Sequence, residues 1–145
     1  MNIQSNSLVT GAVQKLLRVE AFGLFALAVA LYFRSGASAL EFALLFLVPD
    51  LSLLGYLFGS KVGALTYNTM HSTIGPIALG AASLFGLVPA AALPVALIWA
   101  AHVGFDRTLG YGLKYASAFG HTHLGLVGKA AKAVELVVSP PKAAT

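Results

Sequence analysis

The sequence contains no cysteine, which excludes disulfides, thiolate metal sites, cysteine nucleophiles and covalently attached haem, and leaves the redox compartment unreadable. Charge is scarce as well: only 10% of the 145 residues are charged, against 58% that are hydrophobic. With a mean hydropathy of +0.83, a water-soluble domain would lack the polar surface to cover itself, so a lipid bilayer is the expected solvent. The net charge of +4 comes without a dense basic run or a basic stripe interleaved with exposed aromatics, so nucleic acid is not an expected partner. There is no phosphate-binding glycine loop, no HExxH, no G-x-S-x-G elbow and no dinucleotide fingerprint.

What is abundant is long apolar sequence. The run LLRVEAFGLFALAVALYF, Leu16 to Phe33, is long enough at about 1.5 Å per residue to cross a hydrocarbon core of roughly 30 Å. It is too long for a signal-peptide core and no small-residue cleavage site follows it, so it is expected to stay in the mature protein. Further spans are read at about 40–58, 62–87 and 89–112. The expected fold is a single all-α domain over 1–145, a four-helix transmembrane bundle with kinked helices, the second kinked at Pro49 and Asp50. Gly55, Gly59 and Gly63 have the small-xxx-small spacing of close helix packing, and Trp99, Tyr111 and Tyr115 are read as interfacial anchors. Beyond the fourth span, Lys129, Lys132 and Glu135 recur every three residues, which predicts a short C-terminal amphipathic interfacial helix. Residues 139–145 are expected to form a disordered tail.

Orientation follows from lysine and arginine in the short loops. With the N-terminus cytoplasmic, that side receives Lys15, Arg18, Lys61, Arg107, Lys114, Lys129, Lys132 and Lys142, and the other side only Arg34. An even number of spans then returns the C-terminus to the positive side. The expected location is a bacterial cytoplasmic membrane with both termini cytoplasmic.

Ionisable groups are costly at bilayer depth unless they face a bundle interior or a wet cavity, so each is a candidate for function. Counting inward from the basic ends at about 1.5 Å per residue, Asp50, His71 and His102 fall at similar depths of roughly 8 to 15 Å. His102 and Asp106 are four apart, and Asn68 and His71 three apart, so each pair shares one helix face. Asp50 follows a proline break, where freed backbone groups favour a cavity over lipid. Two histidines and two carboxylates at one level would suit Zn²⁺, Mn²⁺ or Fe²⁺. In that reading Asp50, His71, His102 and Asp106 ligate metal or serve as acid and base, Arg107 and Lys114 hold an anionic headgroup, and Asn68 orients a ligand or water. The plainer readings are interhelical hydrogen bonds for the histidines and Asn68, a helix cap for Asp50, and structural ion pairs for Asp106 with Arg107 and Arg18 with Glu20. His121 and His123 are read as solvated loop histidines.

The stretches PDLSLLGY (Pro49 to Tyr56), YNTMHSTIGP (Tyr67 to Pro76) and HVGFDRTLGYGLKY (His102 to Tyr115), followed by THLG (Thr122 to Gly125), resemble the domain-of-unknown-function family 4260 of small bacterial integral membrane proteins. That resemblance implies the membrane architecture and names no reaction. A fainter similarity is to membrane-bound, metal-dependent hydrolases whose pattern runs from Pro-Asp-x-Asp to Thr-His-Ser. Pro49, Asp50, His71 and Ser72 fit it, whereas Ser52 stands at the second aspartate and the upstream His-Arg pair is absent.

The leading expectation is therefore a membrane-embedded, metal-dependent hydrolase of a lipid-like substrate entering from the inner leaflet. The alternative is a non-catalytic accessory subunit of a larger membrane complex, its polar residues serving as interhelical glue and its partners other membrane proteins or a second copy. A b-type haem held by His71 and His102, and a proton or ion relay, are lesser readings.

Overall fold

A computed structural model describes residues 11–132. Among the described residues five α-helices and one 3-10 helix form the bundle, with a small β-hairpin at one end. Helix α1 runs Gly11–Arg34, and its 24 residues reach about 36 Å. Gly36, with φ +74°, turns the chain into α2, Ala39–Phe46. Ser38 caps α2 by accepting the Glu41 amide at 3.4 Å, and Glu41 places a negative charge at the positive helix end.

Pro49, Pro76 and Pro94 each sit in the first turn of an element, the one place where a missing N–H is harmless. Pro49 ends α2 rather than bending it, because it has no N–H to donate to the carbonyl four residues earlier and its ring would crowd that carbonyl. The chain continues as a 3-10 helix over Val48–Phe58, unusually long for that geometry. The segments Gly11–Arg34 and Ala39–Phe58 are long and apolar enough to cross a membrane.

The third expected span, 62–87, is two helices. Helix α3 is Ser60–His71 and α4 is Ile74–Leu84, with Pro76 as the third residue of α4. A proline there would clash with the carbonyl four residues earlier in a continuous helix, so the helix ends at His71 and restarts. The expected fourth span, 89–112, is α5, Ala92–Leu109, with Pro94 in its first turn.

A break inside a bundle frees carbonyls that need donors, and α5 supplies them. Trp99 Nε1 donates to the Met70 carbonyl, and Arg107 Nη2 donates to the His71 carbonyl at 3.3 Å. The Trp99 ring also lies where a Cβ on Gly75 would be, 2.3 Å from its nearest atom. Trp99 is thus a clasp between helices and not the interfacial anchor its type suggests.

Helix α5 is the centre of the bundle, packed chiefly on α1 and then on α4 and α2. Its buried residues include Ala96, Ile98, Ala101, His102, Val103 and Gly104. The 3-10 helix and α3 form a separate antiparallel pair, reversed at Gly59 with φ +105°. Gly55 and Gly63 are where those two touch: a Cβ on Gly55 would meet Thr66, and one on Gly63 the Tyr56 ring. Large apolar side chains, among them Leu44, Leu57, Leu65, Ile77 and Leu84, stand exposed around the bundle, while His71 and His102 are buried.

Past Gly110 the chain folds back across the end of the bundle. His121–Thr122 (β1) pairs antiparallel with Gly125–Leu126 (β2), and Lys114 bridges to Thr122. This hairpin departs from the expected all-α fold; it is closed by Thr122 Oγ1, which donates to the Gly125 carbonyl at 2.7 Å, a local side-chain bond that helix periodicity cannot register. Residues 129–132 begin a helix; the rest of the expected interfacial helix and the tail lie outside the described residues.

Gln14 donates to the Leu124 carbonyl in the hairpin turn, and Arg18 Nε donates to the Thr108 carbonyl at 2.7 Å, so the start of α1 is joined to the hairpin and to the end of α5. Tyr67 meets Asp106 and His71 meets His102, so α3 runs antiparallel to α5 and Lys61 opens α3 at the same end. Lys15, Arg18, Lys61, Arg107 and Lys114 thereby share one end of the bundle, and Arg34 stands at the other.

Candidate metal centre

Three chain segments that are remote in sequence converge about halfway along the bundle. Asp50 comes from the first turn of the 3-10 helix, His71 from the last residue of α3, and His102 and Asp106 from successive turns of α5. One donor atom from each lies within 4.8 Å of all the others.

The separations are informative. His71 Nε2 is 3.1 Å from His102 Nε2, 3.4 Å from Asp50 Oδ1 and 3.4 Å from Asp106 Oδ2. His102 Nε2 is 3.6 Å from Asp50 Oδ1 and 3.9 Å from Asp106 Oδ2. A tetrahedral ion with nitrogen and oxygen ligands at about 2.0–2.1 Å requires ligand–ligand edges of about 3.3–3.4 Å. These five edges bracket that length.

The hydrogen bonds around the cluster set the protonation that a metal needs. His71 Nδ1 lies 3.0 Å from the Tyr67 carbonyl, which can only accept, so Nδ1 carries the proton and the neutral ring turns a lone pair from Nε2 into the cluster. A histidine ligand is commonly fixed through its other nitrogen in this way. The Tyr67 ring stacks on His71, centroids 3.7 Å apart and 12° from parallel, and its hydroxyl donates to Asp106 Oδ2 at 3.2 Å. Phe46 packs edge-on against His102, centroids 5.2 Å apart. The Nδ1 of His102 is buried with no partner, so the polar contacts of that ring are those its Nε2 makes in the cluster.

Two imidazole rings and two carboxyl groups thus face one small volume. A proton can bridge one pair of their donor atoms, whereas a divalent cation at the centre would bond to all four.

The cluster is closed behind and open in front. The His71 and His102 side chains are 3% and 2% exposed, Asp106 is 16% exposed and Asp50 is 40% exposed. Both carboxylates line a cavity of about 300 Å³, together with Leu53, Tyr67, Tyr111, Lys114 and Phe119. Lys114 is buried there: its Nζ lies 3.7 Å from the Phe119 ring centroid and 4.7 Å from that of Tyr67, and it donates to the Phe119 carbonyl at 3.2 Å. Burial pushes this ammonium below the usual lysine range, and Asp106 opposes the shift.

The other residues singled out from sequence are placed as follows. Asn68 clamps the backbone of Lys114, donating to its carbonyl at 2.8 Å and accepting its amide at 2.7 Å. Arg107 holds the freed His71 carbonyl and is not among the cavity's lining residues. No ion pair joins Asp106 to Arg107, or Arg18 to Glu20, among the described residues, because Asp106 faces the histidines and Arg18 reaches Thr108. His121 pairs with Ser117 Oγ at 3.0 Å, and His123 Nδ1 accepts the Leu113 amide at 2.8 Å.

A family model described as domain of unknown function (DUF4260) matches residues 14–127. The chain belongs to this family. The match takes in the whole cluster, the cavity and the hairpin, so the DUF4260 region and the site-bearing bundle are the same object. No curated protein and no solved structure matches the chain.

Tyr67 is the residue that sequence reasoning underrated. Its spacing of four from His71 on one helix was the available signal, since that spacing brings its carbonyl and ring onto the histidine. The pairing of Asn68 with the Lys114 backbone, 46 residues away, has no comparable signature.

Proposed function

We propose that this DUF4260 chain is an integral membrane protein that holds one divalent transition-metal ion on Asp50, His71, His102 and Asp106, and uses it to hydrolyse an amphipathic substrate with an anionic headgroup. The observation that carries the reading is the convergence of two imidazole nitrogens and two carboxylate oxygens within 4.8 Å of one another, close to the edge lengths of a metal tetrahedron. The apolar exterior supports lipid as the solvent, with the two α3–α4 halves counting as one span among four. The basic end would face the cytoplasm.

Zn²⁺ suits a two-nitrogen, two-oxygen set best, with Mn²⁺ or Fe²⁺ as relatives of the same chemistry. The open face of the cluster at Asp50 leaves room for a water as a fifth ligand, which a bound divalent ion would acidify to a nucleophile near neutral pH. The cavity has the size of a small headgroup, and Lys114 supplies a fixed positive charge beside it. Tyr67 keeps His71 in its ligating tautomer and Asp106 turned inward.

The test is turnover by purified protein of amphiphilic carboxylic and phosphoric esters, after chelation and after return of Zn²⁺, Mn²⁺ or Fe²⁺. Hydrolysis that requires the metal, disappears in His71→Ala and shows a raised KM for anionic substrates in Lys114→Gln is expected. Hydrolysis that survives both chelation and His71→Ala overturns the proposal. A metal-loaded protein without turnover, isolated with a stoichiometric membrane partner, returns the reading to an accessory subunit.

A further inference from the structure

A second feature lies on the outer side of the basic end, away from the metal cluster. Lys15, Arg18, Val19 and Phe22 recur at positions i, i+3, i+4 and i+7 of α1 and so form one stripe. With Thr108 from the end of α5 they line an open groove of about 450 Å³. The two cations occupy its upper part, and the two apolar side chains, 65% and 54% exposed, lie up to about 10 Å further along the helix.

Arg18 is fixed there by its Nε, which donates to the Thr108 carbonyl at 2.7 Å. Among the described residues no carboxylate lies within ion-pair distance of Lys15 or Arg18. Among the described residues the groove thus presents positive charge with no carboxylate partner directly above exposed hydrocarbon, on a helix long and apolar enough to cross a membrane.

We propose that this groove is a binding site for one anionic phospholipid, whose phosphate lies between Lys15 and Arg18 and whose acyl chain runs along Val19 and Phe22. Thr108, which holds Arg18, is two residues from Asp106, so a seated lipid braces the end of α5 that carries the metal cluster. The site rests on the membrane placement proposed above but not on the metal or on hydrolysis. A free phosphate would use the cations alone, and the apolar half of the groove is what assigns it to a lipid.

The experiment uses the full chain in mild detergent, with native mass spectrometry of bound phosphatidylglycerol against phosphatidylcholine at equal concentration. A basic residue at an anionic surface is worth about fivefold, so wild type is expected to retain phosphatidylglycerol over phosphatidylcholine by roughly 25-fold. The preference should fall to about fivefold in Lys15→Gln, which breaks no side-chain hydrogen bond or ion pair among the described residues, and vanish in Lys15→Gln/Arg18→Gln. Inorganic phosphate at the same concentration should not compete. Equal retention of the two lipids by wild type, an unchanged preference in Lys15→Gln, or full competition by phosphate overturns the site. Release of the protein from membranes by alkaline carbonate would instead overturn the membrane placement.

Discussion

Gly104 is the sharpest mechanical test of how the bundle carries its site. It lies on α5 between His102 and Asp106, at the crossing with α1. A Cβ there would stand 2.7 Å from Phe25 N, 3.0 Å from Ala21 O and 3.0 Å from Phe25 Cα. All three obstacles are backbone, so no side chain can swing aside, and α1 must retreat by several tenths of an ångström to restore ordinary contact. Overpacking of this kind costs about 1–3 kcal/mol, set against a helix-propensity gain of about 1 kcal/mol for Gly→Ala. Gly23 is the matched control: it is mid-helix on α1, and a Cβ there would meet nothing within 4 Å. Gly23→Ala should keep the propensity gain, so the difference between the two variants isolates the steric cost. Thermal unfolding in detergent should place Gly104→Ala below Gly23→Ala by several degrees, at about 2–4 °C per kcal/mol for a chain of this size. Gly104→Ala should also bind metal more weakly, because α5 carries two of the four donors. Equal melting temperatures would refute the close α1–α5 packing on which the site's geometry depends.

Three further outcomes are expected. Tyr67→Phe removes the hydroxyl that donates to Asp106 but keeps the ring on His71; metal affinity, read by competition with a fluorescent chelator, should fall by about tenfold or more with the fold intact. Asn68→Ala removes both bonds to the Lys114 backbone and leaves that peptide's polar groups without partners, a loss of about 1–3 kcal/mol per group; amide exchange and proteolysis between residues 110 and 128 should quicken while the metal stays bound. Burial, with the Arg107 charge second, holds His123 below the usual histidine range, so the folded hairpin disfavours the proton that the unfolded segment accepts. Hairpin stability should therefore be complete above about pH 6.5 and decline as pH falls through the folded value. Exchange at the Leu113 amide, corrected for its intrinsic rate, should show this decline in wild type and not in His123→Ala.

Much of the site could be read from the sequence because it depends on short-range periodicity and depth. His102 and Asp106 share a face by their spacing of four, and counting residues inward from the basic ends puts Asp50, His71 and His102 at one level. What was not legible is the way the prolines act. Pro49 read as a kink and Pro76 fell inside a continuous expected span, yet each lies in the first turn of a new element, which ends α2 at Phe46 and α3 at His71. That second break places His71 at a helix terminus and creates the carbonyls that Trp99 and Arg107 satisfy. The roles of those two side chains depend on backbone groups about 30 residues away, and composition and spacing are silent about such partners. The hairpin escaped for a similar reason, since two strands of two residues each are too short for a period-2 pattern.

The claim on which the account turns is that Asp50, His71, His102 and Asp106 form one metal centre. The most direct measurement is elemental analysis of the purified full chain, beside His71→Ala, His102→Ala and the distant control His121→Ala. The account predicts one divalent ion per chain in wild type and in His121→Ala, and little or none in the two cluster variants when circular dichroism shows the fold retained. A metal-free wild type after exposure to Zn²⁺, Mn²⁺ and Fe²⁺, or a full complement of metal in a His71→Ala/His102→Ala protein, would contradict it.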